Sequence, residues 1–294
     1  MRLGIGLPTY LGNLIGPRAV LDWARRADEA GFGAVAVHDR PHADTWDPLA
    51  TLAAVAVVTE RVRLATTAVI LPARDEALLV KQAAVVDRIS SGRLDLGVGV
   101  GGRPNDFDLF SRPFAGRGRE YERQLARMSD LWAGAIASEV RGDQLGPAPI
   151  QRPGPPVWVG GYAPAAIDRA VRHGHGYIFG AAGVAGMAAK IPAIREAAAN
   201  AGRSDFPVAG LAYVLLSTNA GEIAEAERLI TRYYGQLHKP FKDLVTVGDE
   251  RVMEATLATY REAGVDLLHL FPVSRSADQI EQLARVAGLS SARA

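Results

Sequence analysis

The chain reads as a single (β/α)8 barrel of the α/β class, and three observations predict it. Short β-rich runs and amphipathic helical stretches alternate from end to end, with eight strands among them, the order that builds a parallel sheet. The runs are apolar on both faces (AVAV at 34–37, LDLGVGVG at 94–101, VWVGG at 157–161, LLHLF at 267–271), as strands are when helices cover one side and packed side chains fill the other. The length of 294 residues suits one barrel, a unit of ~250 residues or more. A doubly wound open sheet would give a similar alternation, and the length would also hold two ordinary domains.

In chain order, strands are expected at Arg2–Leu7, Gly33–Val37, Val62–Ile70, Arg93–Val100, Pro156–Val159, Gly176–Phe179, Val208–Leu216 and Asp266–Phe271. Amphipathic stretches of helical period follow them at Pro17–Ala30, Asp47–Thr59, Glu76–Ile89, Gly118–Trp132, Pro164–His173, Ala185–Ala201, Gly221–Tyr234, Arg251–Ala263 and Ala277–Ala287. A helix end, then glycine, then a strand recurs in AGFGAVAV, SGRLDLGV, HGHGYIFG and AGVDLLHL. Glycine there is expected to supply a left-handed helix C-cap. The proline-rich Gly146–Pro156 is short and feeds directly into a strand. It is expected to be a loop on the N-terminal face of the barrel, which leaves residues 1–294 as one domain.

Composition narrows the function. Lys+Arg number 33 against 32 Asp+Glu, without the basic excess of a nucleic-acid binder. With no cysteine and six scattered histidines, thiolate chemistry and a cysteine-ligated metal are excluded and no metal site is expected. Redox chemistry would be borrowed from a cofactor. The N-terminus enters a strand pattern at once, and no apolar stretch reaches the ~18 residues of a membrane span. A cytoplasmic protein acting on a small molecule, with neither membrane nor nucleic-acid partner, is the expectation.

In a (β/α)8 barrel the active site is built from the segments that follow the strands. After the second strand, His38-Asp39-Arg40-Pro41-His42-Ala43-Asp44-Thr45-Trp46 gathers two imidazoles, two carboxylates, a guanidinium and an indole. The bland reading is a solvated loop with a helix cap at Asp44 or Thr45. The catalytic reading takes His38 and His42 for proton transfer, Asp39 to orient an imidazole or a ring N–H, and Arg40 or Arg103 to stabilise negative charge. Thr66 and Thr67, before Ala68, are polar in an apolar strand and need partners. Gly101 and Gly102, after the fourth strand, let backbone approach something planar or anionic, without the helix that a dinucleotide fingerprint opens. Gly160, Gly161, Tyr162 and Ala163 lead into a helix N-terminus suited to a phosphate, with Gly180 and Ala181 leaving room beside it. His269 reads as a hydrogen-bonded core histidine. The rim loops Arg103–Gly116 and Tyr234–Gly248, with Phe107, Phe110, Phe114, Tyr234, His238 and Phe241, suggest an apolar or aromatic ligand or a subunit contact. Lys81 and Lys190 fall in expected helices and no carboxylate cluster is visible, which argues against a lyase or aldolase.

Three stretches, Asp47–Gly101, Phe114–Gly134 and Pro155–Ile178, have the order, spacing and residue types of the luciferase-like monooxygenases, and the resemblance spans almost the whole chain. It implies a bacterial luciferase-like barrel that is a flavin-dependent oxidoreductase. The first expectation is a monooxygenase using reduced FMN and O2. The alternatives are hydride transfer with the deazaflavin coenzyme F-420 and a flavin-binding barrel without turnover. The ring is expected in the mouth, the phosphate near Gly160, Gly161, Tyr162 and Ala163, and a strained peptide behind the ring at Thr67 and Ala68. A homodimer and a separate flavin reductase are further expectations. Two family features differ: Arg40 stands at the place of a histidine in the second-strand motif, and Gly102 where sugar-phosphate dehydrogenases have glutamate.

Overall fold

The computed structural model describes residues 1–138, 142–235 and 240–289. In chain order it forms β1 (Arg2–Gly6), α1 (Pro17–Glu29), β2 (Ala34–Val37), α2 (Pro48–Val58), β3 (Arg63–Thr66), β4 (Val69–Ile70), α3 (Glu76–Ile89), β5 (Leu94–Gly99), α4 (Asn105–Asp108), α5 (Arg117–Trp132), β6 (Val157–Gly160) and α6 (Ala165–His173). There follow β7 (Gly176–Ile178), α7 (Gly183–Ala188), α8 (Ile191–Asn200), β8 (Val208–Leu216), α9 (Ala220–Tyr234), α10 (Phe241–Leu244), β9 (Val245–Gly248), α11 (Glu250–Glu262), β10 (Leu267–Pro272) and α12 (Asp278–Val286).

The strands run in the order β10-β1-β2-β3-β5-β6-β7-β8, all parallel, and β10 pairs with β8 as well as with β1. That last pairing closes the sheet and eliminates the open doubly wound alternative. Trp158, Ile178, Ala209 and Leu267 form one cluster with Ala68 against it. The four come from the neighbouring strands β6, β7, β8 and β10, and Ala68 reaches them from beyond the end of β3, so this cluster fills the barrel interior. The outer layer is made by helices such as α1, which buries Val20, Trp23, Ala24 and Ala27, the i, i+3, i+4, i+7 stripe of an amphipathic helix.

Four sequence expectations change in detail. The third strand, read as one run, is broken at a cis Thr67–Ala68 peptide into β3 and β4. A further strand, β9, pairs with the end of β8 at Tyr213–Leu216. Of the four glycine caps, Gly31, Gly92 and Gly264 take φ of 86°, 85° and 85°. Gly174 instead has φ −98°, and its reason is room, since a Cβ there would lie 2.8 Å from the Ala170 carbonyl oxygen. The cap of α2 is neither Asp44 nor Thr45 but Asp47, whose carboxylate accepts from the Ala50 N–H at 2.9 Å. Asp44 accepts from the Asn13 N–H and pairs with Arg232.

The proline-rich loop lies on the N-terminal face, as expected. Asp87, buried near the end of α3, accepts from the Ile150 N–H at 2.7 Å, the Gln151 N–H at 2.9 Å and the Gln151 side chain at 2.7 Å. Among the described residues no helix is long and apolar enough to cross a membrane.

Candidate functional site

The C-terminal ends of the strands surround a cavity of about 640 Å³. His38, Asp39, Arg40, Thr67, Ala68, Gly101, Gly102, Arg103, Gly160, Gly161, Tyr162, Gly180 and Ala181 all line it, whereas His42 and Ala163 do not.

His38 follows β2 directly and is buried. Its ring stacks on Phe271 with centroids 3.8 Å apart and lies 5.7 Å from Tyr213 and from Tyr233. Nδ1 is 3.2 Å from the Thr67 carbonyl, and Nε2 is 3.2 Å from the Tyr213 hydroxyl. A carbonyl can only accept, so Nδ1 carries the proton, Nε2 accepts, and Tyr213 donates. The Tyr234 hydroxyl in turn donates to that of Tyr213 at 3.1 Å. Burial, with the nearby Arg40 charge adding to it, lowers the His38 pKa to about 4, so the imidazole is neutral near pH 7. Burial pushes the phenols of Tyr213 and Tyr233 well above their usual range and raises that of Tyr234, so the three act as neutral hydroxyls. The chain of donors Tyr234, Tyr213, His38 therefore runs inward from the mouth and ends on the Thr67 carbonyl.

The remaining groups of this loop hold one another. Asp39, buried, accepts from Arg74 through both carboxylate oxygens, at 2.8 and 3.2 Å, and from the Ile70 N–H at 2.9 Å. It orients a guanidinium rather than the imidazole or ring N–H expected of it. Arg40 donates to the Tyr233 carbonyl at 3.0 Å and to His42 Nε2 at 3.0 Å, and its Nε lies 3.6 Å from Asp106. An arginine can only donate, so His42 Nε2 accepts, and its Nδ1–H reaches Asp106 at 2.5 Å. His42 does not line the cavity and both its nitrogens are occupied, which corrects its assignment to proton transfer: Arg40, His42 and Asp106 clamp the β2 loop to α4. The threonine hydroxyls find backbone partners, Thr66 at the Gly97 carbonyl and Thr67 at the Val37 carbonyl.

The ends of β5 and β6 bring glycine backbone to the cavity. Gly101 combines φ 72° with a Cβ position 2.7 Å from Ile70 and 2.9 Å from Phe107, so a side chain is excluded by conformation and by space. At Gly161 a Cβ would stand 2.8 Å from the Ala166 methyl, which lets the start of α6 close on β6. Tyr121 of α5 donates to the Val98 carbonyl at 2.8 Å and reaches that of Gly160 at 3.5 Å, bracing both strand ends from outside. Lys190, between α7 and α8, donates to the Tyr162 carbonyl at 2.8 Å and meets no carboxylate among the described residues.

His269 is buried on the same face of β10 as Leu267 and Phe271, inside the barrel, and its Nδ1 has no hydrogen-bond partner among the described residues. The hydrogen-bonded histidine expected there is thus an unpartnered one, and burial lowers its pKa to about 3, with His38 adding to the effect.

Sequence reasoning missed Tyr213, Tyr233, Asp106 and Lys190, all of which line the cavity. Tyr213 alternates with Leu211 and Leu215 on the inward face of β8. Pro192, at the second position of α8, marks a helix start that would have separated Lys190 from the helix assigned to it. No local signal marks Asp106. Of the proposed ligand-contacting aromatics, Tyr234 lines the cavity, Phe107 is buried beside Phe114, and Phe110 is exposed. His238 lies outside the described residues.

Fold and site together define a (β/α)8 barrel protein with its ligand cavity at the C-terminal mouth. The model of the luciferase-like monooxygenase family matches residues 1–265, and the chain belongs to that family. A Mycobacterium bovis protein, Mb0965c, is 34% identical over 126 residues, 41% of this chain and 43% of that one, so the match spans less than half of that relative. Among solved structures, monooxygenase RslO1 from Streptomyces bottropensis superposes with a TM-score of 0.81 at 25% identity, covering 98% of this chain and 97% of its own. The oxygenating constituent of 3,6-diketocamphane monooxygenase from Pseudomonas putida, solved with FMN, gives 0.73 at 17% over 100% and 98%. An F420-dependent secondary alcohol dehydrogenase, solved with an F420-acetone adduct, gives 0.77 at 19% over 97% of each chain. At those two lower identities the likeness is one of fold.

Proposed function

We propose that this protein is an oxidoreductase that holds reduced FMN in the mouth cavity and oxygenates a small organic substrate. The observation that carries the reading is the cavity itself. At about 640 Å³ it falls in the ~300–1,000 Å³ range of cofactor sites, with glycine backbone on one side and, at its edge, a lysine that meets no carboxylate among the described residues. These features fit a planar ring bearing one phosphate. Gly101, Gly102, Gly160, Gly161, Gly180 and Ala181 would border the ring and its tail. Lys190 and the N-terminus of α6 would take the phosphate, and Thr67 and Ala68 would back the ring. Reduced FMN would supply the electrons that activate O2. Neutral His38, with Nδ1 on the Thr67 carbonyl and Nε2 on the Tyr213 hydroxyl, orders the tyrosine hydroxyls of the wall, and the Arg40–Asp106 clamp holds the β2 loop in place beneath them. A separate flavin reductase would deliver the reduced cofactor.

Lys190→Gln tests the phosphate assignment. In an anaerobic titration the variant should bind reduced FMN about tenfold more weakly and reduced riboflavin unchanged, since a charge-assisted contact contributes roughly 1.5–3 kcal/mol. An equal loss for both ligands, or for neither, would remove the phosphate from Lys190.

A further inference from the structure

Arg103 follows β5, and its guanidinium lies over the ring of Tyr234, 5.1 Å from the centroid. Tyr234 ends α9, after β8, and β6 and β7 separate β5 from β8 around the ring, so this side chain reaches over the mouth. Among the described residues its guanidinium meets no carboxylate and no hydrogen-bond acceptor. The neighbouring arginines differ: Arg40 has Asp106 and the Tyr233 carbonyl, Arg74 has Asp39, and Arg117 donates to the Gly101 and Phe114 carbonyls. The two carboxylates of the cavity, Asp39 and Asp106, are thus already engaged. Among the described residues that line the cavity, positive charge is left unanswered at Lys190, beside Gly160–Tyr162, and at Arg103, beside the tyrosine wall.

We infer that Arg103 receives the carboxylate of the substrate, whose apolar or aromatic body lies along Tyr234 and Tyr213 toward His38. This deepens the flavin reading and rests on it, with Lys190 kept for the cofactor. A guanidinium fork matches a carboxylate bidentately, which a point charge does not. A concave site with charge of one sign attracts the opposite sign. The aromatic faces of Tyr234 and Tyr213 supply the contact area that orients a flat body. From Arg103 the wall continues through the two hydroxyls, 3.1 Å apart, to the imidazole, which sets the carboxylate at one end of the substrate and the reacting carbon at the other.

The experiment is calorimetric titration of the FMN-loaded protein with benzoate, phenylacetate and cinnamate, each against its carboxamide. The acids should bind about tenfold tighter than the amides, and Arg103→Gln should bring the two within about twofold while FMN affinity holds. Arg103→Lys should retain part of the preference. Acids and amides bound alike, no acid bound at all, or loss of FMN affinity in Arg103→Gln would each overturn the assignment. If the wild type binds no FMN, the flavin reading fails; the acid-over-amide comparison on the unloaded protein still decides the role of Arg103.

Discussion

His38 is neutral in the fold because its box of Phe271, Tyr213 and Tyr233 desolvates it, and the pH dependence of stability follows. In the unfolded chain an ordinary histidine takes up a proton near pH 6.5, whereas folded His38 resists until about pH 4 and His269 until about pH 3. Between those values the unfolded state binds more protons, so stability is full above pH 6.5 and falls as pH drops. Each histidine contributes a loss on the order of 3 kcal/mol by pH 4. Urea midpoints measured from pH 8 to 4 should fall along this curve, and His269→Leu should flatten it; a wild-type profile flat to pH 5 would contradict the burial of both rings. At this scale the sequence was partly legible. His38, Arg40 and Arg103 were found because a polar residue directly after an apolar strand is conspicuous. Asp106 was not, because tertiary packing alone brings it to the mouth, and Tyr213 was not, because its inward place in the alternation of β8 is that of an ordinary core residue.

At the scale of elements, two contacts shape the rim. Asp106 holds α4 to the β2 loop through His42 and Arg40. Asp106→Asn leaves Arg40 buried with a neutral partner and should cost about 3 kcal/mol, read by chemical denaturation; a change within about 0.5 kcal/mol would show that the clamp carries no load. On the opposite side, the start of α6 packs against Gly161 with no room for a methyl. Gly161→Ala should weaken FMN binding by displacing that helix start, and adding Ala166→Gly should restore it, a coupling that a double-mutant cycle measures directly. Additive effects would place the lesion elsewhere. The barrel strands were legible, even the three residues of β7, because they are apolar and buried throughout; β9 (VTVG) is only partly buried and carries too few apolar residues to stand out from its loop. The break at Thr67–Ala68 has no signature in an otherwise continuous apolar run.

For the whole molecule, a parallel sheet wrapped in helices was readable from strands apolar on both faces, each followed by a helix, whereas closure into a barrel was decided only by the pairing of β10 with β8. The outer surface departs from that pattern on α2 and α3, where Val57, Leu78, Val85 and Ile89 are exposed. We propose that a second copy covers this face. Sedimentation equilibrium should give a dimer for the wild type and a monomer for Leu78→Glu/Val85→Glu; a monomeric wild type would contradict it. The central claim concerns the cavity, and it is tested most directly by anaerobic titration with reduced FMN and coenzyme F-420 side by side. Tight binding of reduced FMN and little of the deazaflavin is the result predicted. Preference for coenzyme F-420 would contradict the oxygenase reading in favour of hydride transfer, and binding of neither would contradict the cofactor site itself.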